Sequence, residues 1–433
     1  MRLHLTIVKN IDFMDFKEST IMRRELIPLY FTAIFAYFAY MIVPPILPLY
    51  AEQLGANLIE ISILFSSFFL TYLLFTVIWG SLSDTLRKRR PFLFGGLFAS
   101  GFTLVGYYFS RNVYELIGLS LIRGIAIGAF TPIALAIASN LNGRKKGSGM
   151  GIMNAALSSG WFVGALASGF LVELFSLSFP FMAAAFVTFL AACIAIFVFS
   201  DFNALETQKD PSNEPANLKK VVNDLKRRFT VMFKKDEFVR KRGLSTVYIT
   251  LILRHGGLLG LYSLFPLYVV AVGGTPAQVG LLYALNMGTQ AIFMFMMGLC
   301  CDRIGRRPVM IMGLLASGLS AIWFGLSTTP VALIPSQVLV AFGYASVMVS
   351  ATTIVADVAP RENRGEGMGL IMTSLGIGAT IGPLIAGFLA EFLGLAMMMF
   401  IMAILPFAGL LLFSIRMNET VDFKIADEET AFH

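Results

Sequence analysis

The stretch Gly298-Leu-Cys-Cys-Asp302-Arg303-Ile-Gly305-Arg306-Arg307 closes one long apolar run and opens another. A related stretch, Gly80-Ser-Leu-Ser-Asp84-Thr-Leu-Arg87-Lys88-Arg89-Arg90, does the same earlier in the chain. The two begin 218 positions apart, and that offset recurs well beyond them. Pro48-Leu49-Tyr50 matches Pro266-Leu267-Tyr268, Gly55 matches Gly273, and Gly147, Gly149, Met150 and Gly151 match Gly365, Gly367, Met368 and Gly369. Gly160, Gly164 and Gly169 match Gly378, Gly382 and Gly387. The chain is therefore expected to be a duplicated unit, and duplicated halves around a midplane cavity are a common design of secondary transporters.

Composition sets the medium. Of 433 residues, 57% are apolar and 14% charged, with a mean hydropathy of +0.77. Soluble domains carry about 25% charged residues, so a water-soluble globule, a disordered chain and, with 3 cysteines, a disulfide scaffold are excluded. A bilayer core needs about 20 apolar residues per helix. Twelve stretches qualify: 26–50, 58–80, 92–110, 113–138, 149–172, 177–200, 244–271, 276–300, 308–327, 331–356, 367–390 and 395–415. None alternates in polarity as a barrel strand does, so all twelve are read as helices. The prediction is an all-α membrane protein of two pseudo-symmetric six-helix bundles, 26–200 and 244–415. Residues 1–25 form an N-terminal segment, 201–243 a linker and 416–433 a tail. The basic part of the linker, 218–242, reads equally as an amphipathic surface helix or as a solvated loop. No cleavable signal peptide is evident, and Met22 offers an alternative start.

All 33 Lys and Arg except Arg111, Arg123 and Arg254 fall on one face of this topology. The excess of Lys and Arg in cytoplasmic loops therefore predicts cytoplasmic termini in a cell membrane. It also accounts for the net charge of +7 without nucleic acid as a partner.

The stretch at Gly298 matches in full the loop signature G-x-x-x-D-R-x-G-R-R of the major facilitator superfamily, and the chain resembles that family over residues 26–415. The stretch at Gly80 keeps the glycine, the aspartate and the basic run, but has Thr85 and Arg87 where the family has Arg and Gly. The resemblance implies alternating access, with Gly80, Asp84, Arg89, Gly298, Asp302, Arg303, Gly305 and Arg306 in a cytoplasmic gate network. The glycines are expected to allow close helix approach, and the acids to accept from arginines and a helix N-terminus. Pro44-Pro45-Ile-Leu-Pro48, the fourth-helix Arg123 with Gly124 and Gly128, and the glycine-rich fifth and eleventh helices are similar to the drug:proton antiporter branch. In those two helices Gly160, Gly164, Gly378, Gly382 and Pro383 are expected to pack or bend. The better copy lies in the eleventh, since the fifth lacks the proline.

Charge inside the bilayer is costly and marks function. Arg123 and Arg254 lie deep, and His255 is the sole histidine within a span; the deep positions hold no Asp or Glu. Arg254 can bind a carboxylate or phosphate, and His255 can titrate near neutral pH. These three are candidates for substrate or proton coupling. Tyr37, Tyr262, Asn286, Gln290, Gln337 and Tyr344 are candidates for the cavity wall, with the first, fourth, seventh and tenth helices lining it as the resemblance implies. The expected function is proton-coupled efflux of small apolar or amphipathic compounds by a monomer. The alternatives are organic-anion transport anchored on Arg254 and a non-transporting sensor. The sequence holds no nucleotide-binding loop, metal cluster or nucleophile elbow, so neither an enzyme nor a cofactor is expected.

Overall fold

The computed structural model describes, with side chains, residues 27–83, 86, 89–138, 151–196, 243–359 and 364–419, and the helical backbone of some flanking residues. The side chain of Asp84, the linker with its basic part 218–242, the N-terminal residues 1–26 and the tail beyond 419 lie outside the described residues. Among the described residues, twelve helices are long and apolar enough to cross a membrane. They are α1 (Ile27–Gln53), α2 (Leu58–Ser83), α3 (Arg90–Phe109), α4 (Val113–Ala138), α5 (Gly151–Leu174), α6 (Phe179–Ile196), α7 (Leu244–Ala271), α8 (Pro276–Ile304), α9 (Arg306–Leu326), α10 (Val331–Val358), α11 (Arg364–Leu393) and α12 (Leu395–Arg416). Each agrees with its sequence-based stretch to within a few residues. Two are interrupted: α4 breaks after Ile127 and resumes at Phe130, and α12 breaks at Ala403.

Sequence chemistry sets several helix starts. Thr275 closes a capping box with Gln278 ahead of Pro276, which satisfies orphan N–H groups at the α8 terminus. Asn112 accepts from the Glu115 N–H and caps α4. Asn57 and Glu60 cap α2 reciprocally, at 3.0 and 2.9 Å.

The duplication governs packing. Within the halves α5 runs along α1 and α11 along α7; between them α2 lies against α11 and α5 against α8. A Cβ on Gly160 would sit 2.5 Å from the Ile34 carbonyl oxygen of α1, and one on Gly378 would sit 2.7 Å from the Ile252 oxygen of α7. Ile34 and Ile252 are themselves 218 positions apart. Gly164 meets the Phe38 backbone and Gly382 the Gly256 backbone, and Pro383 is buried beside them. These glycines are thus the contact surfaces of the helix pairs, as expected.

The face where α6 ends and α7 begins is the linker face; the other is the distal face. At the distal face the halves are fastened twice. The Leu58 N–H of α2 donates to Glu391 of α11 at 3.0 Å. The Thr275 hydroxyl ahead of α8 donates to Glu173 of α5 at 2.8 Å. Next to each fastening a glycine lets backbones meet: a Cβ on Gly387 would lie 2.9 Å from the Leu58 oxygen, and one on Gly169 would lie 2.6 Å from the Ala277 Cα.

Candidate functional site

A cavity of about 250 Å³ lies at mid-depth between the halves. Its floor comes from α1 (Tyr40, Met41, Pro44), α2 (Phe65, Phe69) and α5 (Trp161), and its opposite wall from α7, α8 and α10. The second, fifth and eighth helices therefore contribute as well as the expected first, seventh and tenth, whereas the expected fourth lines only a smaller neighbouring chamber, through Ile127 and Thr131.

Arg254 and His255 both line this cavity, although consecutive helical residues point about 100° apart. Arg254 is 2% exposed. Its Nε donates to the Ser317 hydroxyl at 3.1 Å, and its Cζ stands 5.3 Å from the Tyr344 ring centroid. Nη2 is buried without a partner. Among the described residues no carboxylate lines the cavity, so the guanidinium is held by a hydroxyl and a π-face alone. The unpartnered Nη2 is a donor that an anion entering the cavity could take up. The His255 ring lies 6.3 Å from that of Tyr344, and its Nδ1 is also buried and unpartnered. Thr250, one turn before Arg254, points away and donates to the Gly409 carbonyl at 3.5 Å.

Of the expected wall residues, Tyr262, Asn286, Gln290 and Tyr344 line the cavity. Gln337 does not. It is fully buried behind the wall, accepting from the Tyr262 hydroxyl at 2.5 Å, while its carbonyl accepts from Asn286 at 3.0 Å. It orients two wall residues. Tyr37 lines a separate smaller chamber of about 60 Å³. Sequence reading left Trp161, Tyr283, Phe65 and Phe69 out of the wall, because a lone aromatic on an apolar helix carries no signal of which way it faces.

Arg123 is 4% exposed but lies behind the wall. Its Cζ is 5.6 Å from the Tyr40 ring centroid and 5.3 Å from that of Phe68. The two halves thus use the same pairing with roles exchanged: arginine on α4 over tyrosine on α1, and arginine on α7 over tyrosine on α10.

The signature residues sit at the linker face. Arg306 donates through Nε to Asp357 at the end of α10, at 2.9 Å, and stands 4.0 Å from the exposed Asp302. Its tight acidic partner is therefore Asp357, which sequence reading did not single out. Arg303 is exposed. Arg89 lies at the start of α3. Gly305 has φ +93°, a region that disfavours side chains; a Cβ there would lie 2.6 Å from Glu419. The Glu419 carboxylate accepts from the backbone N–H groups of Arg306 (3.1 Å) and Arg307 (3.0 Å), where the α9 dipole favours negative charge. The expected close approach at the leading glycines is not made: Gly298 faces open space, and a Cβ on Gly80 would meet Pro132 at an ordinary 3.7 Å.

Two six-helix halves enclosing a mid-depth cavity define a secondary transporter. Residues 29–274 and 247–430 match the model of the Major Facilitator Superfamily, and the chain belongs to that family; it is a multi-pass membrane transporter. It is 29% identical to an uncharacterised MFS-type transporter of Methanocaldococcus jannaschii over 82% of this chain and 88% of that one. It is 24% identical to the multidrug resistance protein MdtG of Escherichia coli over 86% and 90%. A segment covering 39% of this chain and 43% of the other is 32% identical to the multi-drug resistance efflux pump PmrA of Streptococcus pneumoniae. The fold superposes on the nucleoside transporter NupG with a TM-score of 0.75 at 14% identity, over 90% of this chain and 100% of that one. It also superposes on the human organic anion transporter MFSD10 with a TM-score of 0.64 at 18% identity, over 90% and 99%.

Proposed function

We propose that this transporter exports small apolar and amphipathic compounds in exchange for protons. It acts as a monomer in the cell membrane, with the linker face and both termini in the cytoplasm. The observation that carries the reading is the mid-depth cavity, whose exposed wall is mostly aromatic and aliphatic surface. Such walls accept many apolar shapes, and the relatives named for multidrug resistance support it. His255, unpartnered at Nδ1 on the cavity wall, is the proton-carrying group in this reading.

One observation favours a narrower substrate range. Arg254 presents an unpartnered edge in a cavity whose wall holds no carboxylate. A lipophilic cation would face this charge without compensation, whereas an anion would neutralise it. Organic anions with an apolar body are therefore the preferred class.

Proteoliposomes carrying an imposed pH gradient test both readings. Anionic and neutral fluorescent amphipaths should accumulate, and lipophilic cations should not. Arg254→Met should abolish movement of the anions, and His255→Gln should remove the response to the gradient. Gradient-independent leakage of every compound at the rate of empty vesicles overturns the transport reading and leaves the sensor. Accumulation of cations unaffected by Arg254→Met overturns the anion preference alone.

A further inference from the structure

The smaller chamber adjoins the main cavity, because Tyr40 and Trp161 form part of both walls. It lies within the N-terminal half, opposite Arg254, and has a volume of about 60 Å³. By the same measure one water needs roughly 10–15 Å³, so the chamber has room for a few waters or one small ring. Its lining includes Tyr37, Tyr72 and Thr131 in addition to the two shared residues, and none of the lining side chains is charged.

Aromatic faces dominate the chamber. The rings of Tyr37 and Trp161 are 5.1 Å apart, and those of Tyr37 and Tyr40 are 5.9 Å apart. Polar atoms gather on one side. The Tyr37 and Tyr72 hydroxyls lie 2.8 and 3.3 Å from the Thr131 hydroxyl. The Trp161 indole N–H is buried and has no protein partner. The contrast with the other tryptophans is informative: Trp79 donates to the Ile125 carbonyl at 2.8 Å, and Trp323 to that of Ala332 at 2.9 Å. A buried N–H with no acceptor bears the full cost of desolvation, and the acceptor it lacks is one that a ligand can bring.

Resting on the reading of the mid-depth cavity as the substrate site, we propose that this chamber is a second subsite of it. The subsite takes a flat aromatic group bearing an uncharged hydrogen-bond acceptor, which receives the Trp161 N–H, while the anionic end of the same molecule sits at Arg254. An anion is not the occupant of the chamber itself, because no charged side chain lines it and Arg123 lies behind the Tyr40 and Phe68 rings. The site is thus bipolar: a charged end on the C-terminal half and a neutral, donor-bearing aromatic box on the N-terminal half.

Biphenyl-4-carboxylate and its 4′-acetyl derivative are suitable probes, with binding measured calorimetrically on the full chain in nanodiscs. The acetyl compound should bind the wild type about fivefold more tightly, the value of one net hydrogen bond. Trp161→Phe keeps a ring and removes the donor; it should erase that difference and leave the parent compound within about twofold. Arg254→Met should weaken both compounds by at least about tenfold. Equal binding of the two compounds by the wild type, or a preference that survives Trp161→Phe, overturns the subsite even if Arg254 still matters. Binding of both that ignores Arg254→Met, or no binding of either, overturns the cavity reading and the subsite with it. If Trp161→Phe does not purify as a monodisperse protein, a chain with Trp79→Phe and Trp323→Phe leaves Trp161 as the sole tryptophan. Its emission should shift with the acetyl compound and not with the parent; no shift with the acetyl compound overturns the proposal.

Discussion

Glu173 and Glu391 stand 218 positions apart, and each reaches out of its own half to the start of a helix in the other. Glu391 takes the first N–H of α2, and Glu173 the hydroxyl that caps α8. Both carboxylates thus sit where helix dipoles favour negative charge. Glu173→Gln and Glu391→Gln keep the size and remove the charge, so each should shift the distal face toward opening by a factor of about two to five. Spin labels at Glu52 and Leu393, in a chain freed of native cysteines, should show a longer distance population that grows from single to double substitution. Identical distance distributions in the parent, both single variants and the double variant would sink the idea.

Arg123 illustrates how a buried charge can be dispensable for stability. It is surrounded by the Tyr40 and Phe68 rings and the Tyr107 hydroxyl, and a desolvated cation–π contact contributes about 2 kcal/mol. Replacing a buried charge by an apolar side chain of similar volume is often neutral or stabilising. Arg123→Met should therefore match or exceed the wild-type melting temperature in detergent. Phe68→Ala removes packing and bares the charge; it should cost about 3–5 kcal/mol. A lower melting temperature for Arg123→Met than for Phe68→Ala would contradict this account.

The glycines divide sharply by position. Gly382→Val would drive side-chain carbon into the Gly256 backbone of α7 and should abolish monodisperse protein. Gly298→Ala, in the family signature, faces open space and should be neutral or stabilise by up to about 1 kcal/mol, because alanine is the better helix former. Size-exclusion profiles after graded heating separate the two outcomes; equal damage from both would refute the packing argument.

At the linker face the tail closes onto α9. Gly305→Ala meets both a positive φ and the Glu419 carboxylate, and should cost about 1–3 kcal/mol. Glu419→Gln should cost about 1 kcal/mol. Because the two changes disturb one contact, the double substitution should cost less than the sum. Additive thermal shifts would show that Gly305 and Glu419 act separately.

Much of this architecture is written in periodicity. Twelve apolar runs and a constant offset announce twelve helices in two halves, and the paired glycines announce close packing or bending, but not that their partners are α1 and α7. The offset also relates Glu173 to Glu391, yet a carboxylate at the end of an apolar run carries no sign of which helix it will reach. Asp357 and Glu419 were invisible for another reason: their partner Arg306 is far off in sequence, and only the fold brings the three together. The site was half legible. Arg254 and His255 stood out because charge in a bilayer is rare. Trp161 and Thr131 did not, because aromatic and hydroxyl residues are ordinary in membrane helices and only direction distinguishes wall from filler.

The lone cation of the cavity also has an electrical meaning. Arg254 belongs to the half built from α7 to α12, and among the described residues no carboxylate on the cavity wall offsets it. When that half tilts, the empty protein displaces a positive charge within the membrane field, whereas the anion-loaded protein displaces none. Moving one charge through the whole field changes the energy by about 2.3 kcal/mol per 100 mV. In the exchange proposed above the return stroke also carries the proton of His255, so membrane voltage acts on that stroke rather than on the anion-loaded one, and turnover should depend on voltage even where the anion crosses paired with Arg254.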